Sequence, residues 1–299
     1  MIDVVIVNFN AGKLLGRCVA AVIGLPAVAR VVVVDNASAD GSIEALRRRF
    51  GHESKLTVIE NRTNVGFSRA NNIALEHLDP SSPYVLFLNP DCLVSGPVID
   101  RLQRFMDHHP DAGMAGCLIA NPDGSEQRGC RRRFPTPFNS LGALFPFLAA
   151  LPFIPADSGF NLAGGPLPVH PVEVEAISGS FMFVRRSAIN LVGRLDEGYF
   201  LHCEDLDWCK RFILGGWKIY FVPEVKVIHY QGACSRRRPL RVSWHKHRGM
   251  LRFYGKFYRE QYGFWLFLLV AAAVWGRFVM TIPGSIAKGC RHRAKSSPG

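Results

Sequence analysis

The first half of the chain alternates short apolar runs with amphipathic stretches. Residues 2–7, apolar except for Asp3, form a run that ends in Asn8-Phe9-Asn10, the pattern of a strand buried on both faces. Leu14, Leu15, Cys18, Val19 and Val22 then recur at helical spacing, with Asn10 available as a cap. A second buried strand over 31–34 ends at Asp35, and Asp40 can cap a helix over 43–50. A third strand over 56–59 leads to a helix over 70–77, and a fourth over 84–88 ends at Asn89-Pro90-Asp91. This rhythm predicts a parallel sheet covered by helices on both faces.

Beyond residue 120 the pattern loosens. Asn121-Pro122-Asp123-Gly124 reads as a turn, and residues from about 127 to 171 are rich in Pro, Phe, Leu and Arg without clear periodicity. An irregular insert of that length predicts a binding loop or lid. Order returns over 172–184, in a helix over 204–214, and in strands over 218–222 and 225–229. Residues 263–287 are almost wholly apolar, interrupted by Arg277 and Pro283 and followed by Lys288, Arg291, Arg293 and Lys295. Their unbroken core, 264–276, is short for a bilayer span. It predicts a peripheral or re-entrant membrane helix with basic flanks, with a buried core helix as the other reading.

Composition narrows the classes. Of 299 residues 48% are hydrophobic and 20% charged, which suits a packed core. The net charge of +12 favours phosphates, nucleic acid or anionic lipid. No basic module with interleaved aromatics is visible, so no nucleic-acid partner is expected. Eight scattered cysteines without a CxxC pair argue against a zinc ribbon or a disulfide scaffold. Reduced thiols, and a start that reads as a strand rather than a signal peptide, place the catalytic part on the cytoplasmic side.

The strand ends carry the candidate chemistry: Asn8 and Asn10, Asp35 and Asn36, Asn61 and Asn64, Asn89 and Asp91. Each alone suits a cap or turn, but together they form a polar rim where doubly wound sheets bind ligands. There is no GxGxxG and no Gly-Lys-Ser loop. Asp91, directly after a buried strand, can hold a hard divalent cation that also ligates a diphosphate, given a second donor. His229, ending an apolar run before Gln231-Gly232, is one candidate, although a hydrogen-bonded structural histidine fits equally. His202-Cys203-Glu204-Asp205-Leu206-Asp207-Trp208 crowds three carboxylates into one helix start. The helix dipole accounts for acids there, while their mutual repulsion would raise a base suited to deprotonating an alcohol.

These blocks, in order from about residue 2 to 258, resemble family-2 glycosyltransferases of the GT-A fold. The resemblance rests on residues 4–10, on Val33-Val34-Asp35-Asn36 through Ser42, on Asn61-Arg62-Thr63-Asn64-Val65-Gly66-Phe67, and on Leu88-Asn89-Pro90-Asp91. Downstream it continues through Ser178-Gly179-Ser180, Gly193-Arg194-Leu195-Asp196-Glu197, Tyr199-Phe200, Glu204-Asp205-Leu206-Asp207, His229 and Gly232. It implies a Rossmann-like nucleotide-sugar-binding half (1–120) and an acceptor and catalytic half (121–258), followed by a membrane-associated segment (259–299). Asp35 would bind the base of the nucleotide, helped by Asn8, Asn10, Asn64, Gly66 and Asn89. Asp91 and His229 would hold Mg²⁺ or Mn²⁺ with the diphosphate. Asp205, with Glu204 beside it, would deprotonate the acceptor hydroxyl and invert the anomeric carbon. Trp208 and Gly179 would line the acceptor pocket. The usual Asp-x-Asp reads Asn89-Pro90-Asp91 here, which resembles the rhamnosyltransferase-like branch and implies dTDP-L-rhamnose as donor. The acceptor would be a lipid-linked or polysaccharide glycan at the cytoplasmic face of the inner membrane. A polyprenyl-phosphate sugar synthase is the enzymatic alternative, and the basic stretches 131–133, 236–238 and 246–259 would suit anionic lipid and diphosphate.

Overall fold

The computed structural model describes residues 1–137, 159–230 and 239–296, with side chains of the last helix as far as Gly284. The middle of the irregular insert, Gln231-Gly232, Cys234 and the 236–238 arginines lie outside the described residues, as do the side chains of Lys288, Cys290, Arg291, Arg293 and Lys295.

The first half follows the alternation in the sequence. Strands β1 (Ile2–Asn8), β2 (Val28–Asp35), β3 (Leu56–Glu60) and β4 (Tyr84–Leu88) pair in parallel in the order β3-β2-β1-β4. Helices α1 (Lys13–Ile23), α2 (Ser42–Phe50) and α3 (Phe67–Leu75) connect them. Every residue of β1 is buried, because it lies inside the sheet and is covered on both faces. Its register pairs Asn8 with Asp35, so the polar ends of neighbouring strands are level.

The second half departs from a purely parallel sheet. After β5 (Cys92–Leu93), α4 (Gly96–His108) and β6 (Ala112–Ala120), the chain passes through β7 (Arg131–Arg132), β8 (Val172–Glu173) and β9 (Ala176–Ile177). It then enters β10 (Phe181–Arg185) from the opposite end, so β10 runs antiparallel to both β4 and β6. Strand β11 (Lys218–His229) is one strand rather than two, with a register shift between Val222 and Lys226 that accommodates Pro223. Neither α4 nor β6 is part of the pattern read above. The glycine-rich β6 lacks a strong strand signature, and its Gly116 is required by packing: a Cβ there would lie 2.8 Å from the Ile177 side chain.

Helix α5 (Arg186–Val192) follows β10, and α6 (Glu204–Leu214) has the predicted bounds. Helices α7 (Pro239–Phe257) and α8 (Arg259–Ser296) fold back on one another as an antiparallel hairpin. Trp244 packs on Trp275 at 4.7 Å and on Phe278 at 5.6 Å, and Tyr254 stacks on Phe267 at 6.0 Å. Gly263, at φ 81°, breaks the helical backbone at the bend. Residues Arg259–Gly284, 26 in number, contain an 18-residue stretch of mean hydropathy 1.9, of which 6% is buried, and by length and composition are apolar enough to cross a membrane.

Candidate active site

At the donor edge, a web of short polar side chains ties the ends of β1, β2 and β3 together. The Asn8 amide nitrogen lies 2.7 Å from Asp35 Oδ1 and within 3.0 Å of the Ser38 and Ser42 hydroxyls. Asn8 is wholly buried and Asp35 nearly so; Asn8 fixes the Asp35 carboxylate, and neither is among the residues that line the cleft. Asn10 does not cap α1. It adopts φ 54°, accepts the Ala39 N–H at 2.9 Å and leaves Asp40 to accept the Gly12 N–H at 2.7 Å. A cleft of about 410 Å³ opens beside this web, lined by Phe9, Asn10, Asn36, Thr63, Asn64 and, from the C-terminal hairpin, Arg241.

The loop after β3 is bolted to this edge. Asn61 donates to Asn36 at 2.9 Å, Asn36 donates to the Gly66 carbonyl at 3.1 Å, and Asn64 accepts the Gly66 N–H at 2.9 Å. Gly66 has φ 91°, and a Cβ on it would lie 2.7 Å from the Phe200 carbonyl oxygen. Its role is therefore close approach: the Phe67 N–H donates to that same carbonyl at 2.8 Å and joins this loop to the segment before α6.

The next strand ends form a buried corner. Cys92 pairs with His229 across β5 and β11, bringing Asp91 to the histidine. His229 Nε2 lies 3.0 Å from Asp91 Oδ1, while Nδ1 lies 2.6 Å from Gln127 Oε1. The Gln127 amide nitrogen faces two oxygens, Asn121 Oδ1 at 3.0 Å and the His229 carbonyl at 3.4 Å, which fixes its Oε1 toward the ring. Nδ1 is then a donor to Gln127, and Nε2 faces a carboxylate oxygen of Asp91. Two acceptors at that distance require a proton or a cation between them. A ligating histidine whose other nitrogen is held by an amide or carboxylate is the usual arrangement at metal centres. The Cys92 sulfur lies within 4.8 Å of both donors and its S–H reaches the Ser180 carbonyl at 3.5 Å; of the three, the oxygen of Asp91 and the nitrogen of His229 are the donors that suit a hard divalent cation. Asn89 sits at the mouth of this corner, its backbone N–H bonded to the Ser180 carbonyl at 2.9 Å.

At the start of α6, Asp205 Oδ2 accepts Arg132 Nη2 at 2.6 Å and the Gly179 N–H at 3.0 Å, and Oδ1 accepts the Leu206 N–H at 2.8 Å. Burial by itself would raise this carboxyl, but the Arg132 charge and these hydrogen bonds outweigh it and hold Asp205 below the usual carboxylate value. The repulsion expected from three adjacent acids is instead expressed on Glu204. That side chain is buried with Oε2 unpartnered, and burial followed by the Asp205 charge pushes it up to about 8. Asp207 is structural, held wholly buried between Arg211 at 2.7 Å and Lys256 at 2.7 Å.

Two acceptor-site expectations change. Trp208 is wholly buried, edge-on to Phe87 at 5.1 Å and to Phe212 at 5.3 Å. Its indole N–H donates to the Gly193 carbonyl at 2.9 Å, so it is core and does not wall a pocket. Gly179 holds Asp205 by its N–H, and a Cβ there would stand 3.1 Å from that of Asp205. Gln127 and Arg241 are site residues that the sequence did not single out, while Arg132 is read there only within a basic stretch and Phe200 only within the Tyr199-Phe200 block. Arg131 and Arg132, expected to face lipid or diphosphate, are turned inward: Arg131 pairs with Glu126 at 2.8 Å. Among the described residues, the four non-glycine positions with positive φ are Asn10, Ala37, His202 and Cys203. All lie beside the donor cleft or immediately before Glu204, where backbone strain commonly marks function.

Comparison with known proteins agrees with this geometry. The Glycosyl transferase family 2 profile matches residues 3–162. The N-acetylglucosaminyl-diphospho-decaprenol L-rhamnosyltransferase of Mycobacterium tuberculosis is 30% identical over 250 residues, covering 80% of this chain and 79% of that protein. Rhamnosyltransferase WbbL of Escherichia coli K12 is 29% identical over 170 residues, 55% of this chain and 61% of its own. Among solved structures, the mannosyltransferase PcManGT of Pyrobaculum calidifontis, in complex with GDP-Man and Mn²⁺, superposes with TM-score 0.56 at 17% identity, over 99% of this chain and 76% of that one. GalNAc-T7, solved with UDP, GalNAc and Mn²⁺, gives TM-score 0.60 at 16% identity, over 85% of this chain and 47% of that one. These structural likenesses carry the fold, and the sequence matches carry the family. The chain belongs to glycosyltransferase family 2, an enzyme of GT-A fold in the rhamnosyltransferase branch.

Proposed function

We propose that this enzyme transfers L-rhamnose from dTDP-L-rhamnose, with inversion, to a hydroxyl of a sugar carried on a polyprenyl diphosphate. The observation that carries the reading is the meeting of Asp91 and His229, 138 residues apart in sequence, at the strand edge that also presents Asp205. The relatives named for rhamnosyl transfer, one of them to a decaprenyl-diphosphate sugar, support the donor and acceptor classes.

In this reading Asp35, oriented by Asn8 and Ser38, recognises the base, with the Asn64–Gly66 turn closing over the nucleotide. Asp91 and His229, with Asn89 beside them, hold a divalent cation, Mg²⁺ or Mn²⁺. When bound, that ion neutralises charge on the diphosphate leaving group. Asp205 accepts the proton of the acceptor hydroxyl as its oxygen attacks the anomeric carbon opposite the diphosphate. The new glycosidic C–O bond forms as the old C–O bond breaks, and the nucleoside diphosphate leaves with the electron pair. Glu204, uncharged near neutral pH, leaves Asp205 as the ionised member of the pair.

The hairpin supplies the attachment to the membrane, at the cytoplasmic face where anionic lipid is met by Lys246 and Arg248. Helix α7 is docked on the catalytic half by Arg252 and Lys256, both bonded to Asp196 at 2.9 Å. Because α8 lies along α7, a perpendicular span would carry those charges into the hydrocarbon. A shallow or re-entrant seat keeps them in water. The deciding assay incubates full-length protein with a panel of nucleotide sugars and a polyprenyl-diphosphate N-acetylglucosamine acceptor, and follows products by mass. Rhamnosyl product from the dTDP donor alone is expected. Turnover of a UDP or GDP donor, or transfer onto polyprenyl phosphate, would replace this reading.

A further inference from the structure

One wall of the donor cleft does not come from the strand ends. Arg241, in the first turn of α7, lines it opposite Asn10 and Asn64. Its guanidinium lies 5.4 Å over the Phe200 ring, and His245, one turn further along, stacks on the same ring at 4.3 Å. Phe200 is the residue whose carbonyl accepts the Phe67 N–H and against which Gly66 is pressed. The hairpin and the loop after β3 therefore both rest on one residue.

The charge at this point is unspent. The other residues lining the cleft are neutral, and Arg241 has no ion-pair partner among the described residues. An unpaired guanidinium at the mouth of a neutral cleft is a receptor for phosphate. Three residues on, Trp244 packs against Trp275 and Phe278 of α8. The side chain that faces the nucleotide and the one that grips the apolar helix thus share one turn of α7.

We propose that Arg241 binds the diphosphate of the donor nucleotide and that the hairpin delivers it, so that donor affinity depends on the packing of α7 against α8. The inference rests on the nucleotide-sugar reading above and adds a donor ligand from outside the strand ends.

The test uses the full chain in nanodiscs containing anionic lipid, with dTDP, UDP and thymidine as calorimetric probes. Arg241→Ala is expected to raise the Kd for dTDP about tenfold or more, as for loss of a charge-assisted hydrogen bond, while the weaker binding of thymidine changes less than about twofold. Arg241→Lys, which keeps the charge, should fall between them. Trp244→Ala should weaken dTDP by a smaller factor, and should add nothing in the Arg241→Ala background, as expected if both act through one contact. Equal dTDP affinity of wild type and Arg241→Ala would overturn the proposal, as would equal losses for dTDP and thymidine. An additive effect of Trp244→Ala would remove the coupling to the hairpin. If wild type binds neither nucleoside diphosphate, the nucleotide-sugar reading itself fails and this inference falls with it.

Discussion

Arg132→Met tests what sets the basicity of Asp205. The substitution keeps much of the length of the side chain and removes its charge from a contact of 2.6 Å in which both side chains are 13% exposed. At an effective dielectric near 20, opposite charges about 4 Å apart attract by about 4 kcal/mol. That equals about three pKa units at roughly 1.36 kcal/mol per unit. Water entering the vacated space returns part of it, so the acid limb of kcat/KM is expected to move up by about one to two units. Without Arg132, Glu204 and Asp205 share a proton near neutrality. Turnover at pH 7 should therefore fall about tenfold and recover as the pH approaches 9. Stability follows the same linkage. Asp205 has a depressed folded-state pKa, so its pairing stabilises the fold above the unfolded value near 3.8 and is lost as the pH falls through the folded one. The variant should be about 3 kcal/mol less stable at pH 7, as for removal of one partner of a buried pair, and should converge with wild type only in strong acid. A pH–rate profile with parallel thermal melts reads both. An acid limb and a melting temperature both unchanged from wild type would show that Arg132 does not govern the base.

Further outcomes follow from the same edge of the sheet. Asp205→Asn should lower transfer by at least about a hundredfold with nucleotide affinity nearly unchanged, as for loss of a general base; near-normal turnover would move the role elsewhere. Asp91→Ala should weaken donor binding as well as turnover, and Mg²⁺ or Mn²⁺ should restore chelated wild type but not the variant; activity that survives EDTA would refute a cation at Asp91 and His229. Glu204→Gln should be more stable than wild type at pH 8 and equal to it below about pH 4.5. A carboxyl raised to about 8 costs stability as the pH climbs from its unfolded value toward 8, because the unfolded chain releases the proton first; thermal melts across that window check it. Removing everything after Tyr262 should abolish co-sedimentation with anionic liposomes, and equal sedimentation of both forms would make α8 an ordinary packing helix.

The donor half was legible because each of its strands ends at a residue whose type differs sharply from the run before it. Apolar runs that stop at Asn8, Asp35 and Asn89 locate the carboxyl edge of the sheet without any knowledge of pairing. Helix α4 was equally legible in principle, since Val98, Ile99, Leu102 and Met106 repeat at helical spacing behind Pro97. Strand β6 was not, because Gly113 and Gly116 trade side chains for the close approach of Trp217 and Ile177, a property of neighbours distant in sequence. The same holds for the base. The helix start at Glu204 and Asp205 is local, but the countercharge comes from Arg132, placed by two residues of β7 pairing with β9. No pattern within 131–133 distinguishes the arginine that enters the site from its neighbours.

Charge shows most clearly where composition misleads. A net charge of +12 invites a basic outer face, yet many of the cations are spent within the protein. Arg185 caps the carbonyls of Met106, His109 and Ala112. Arg186 pairs with the buried Asp3, Arg211 with Asp207, and Arg252 with Asp196. Lys256 bridges Asp196 and Asp207, and the Asp196 carboxyl is held at about 2; burial opposes this, and bonds from Lys256, Gly198 and Arg252 outweigh it. Inside a folded domain such pairs do more to fix how elements dock than to attract a partner, because the fields of the two opposite charges largely cancel at a distance. The basic stretch 246–259 thus divides by function. Arg252 and Lys256 fasten α7 to the catalytic half, while Lys246 and Arg248 have no ion-pair partner among the described residues. Those two, with Arg241 one to two turns before them, place free positive charge along one helix between the donor cleft and the apolar face of the hairpin. In the function proposed above, where a nucleotide diphosphate meets a lipid diphosphate, uncompensated charge along that line would serve both.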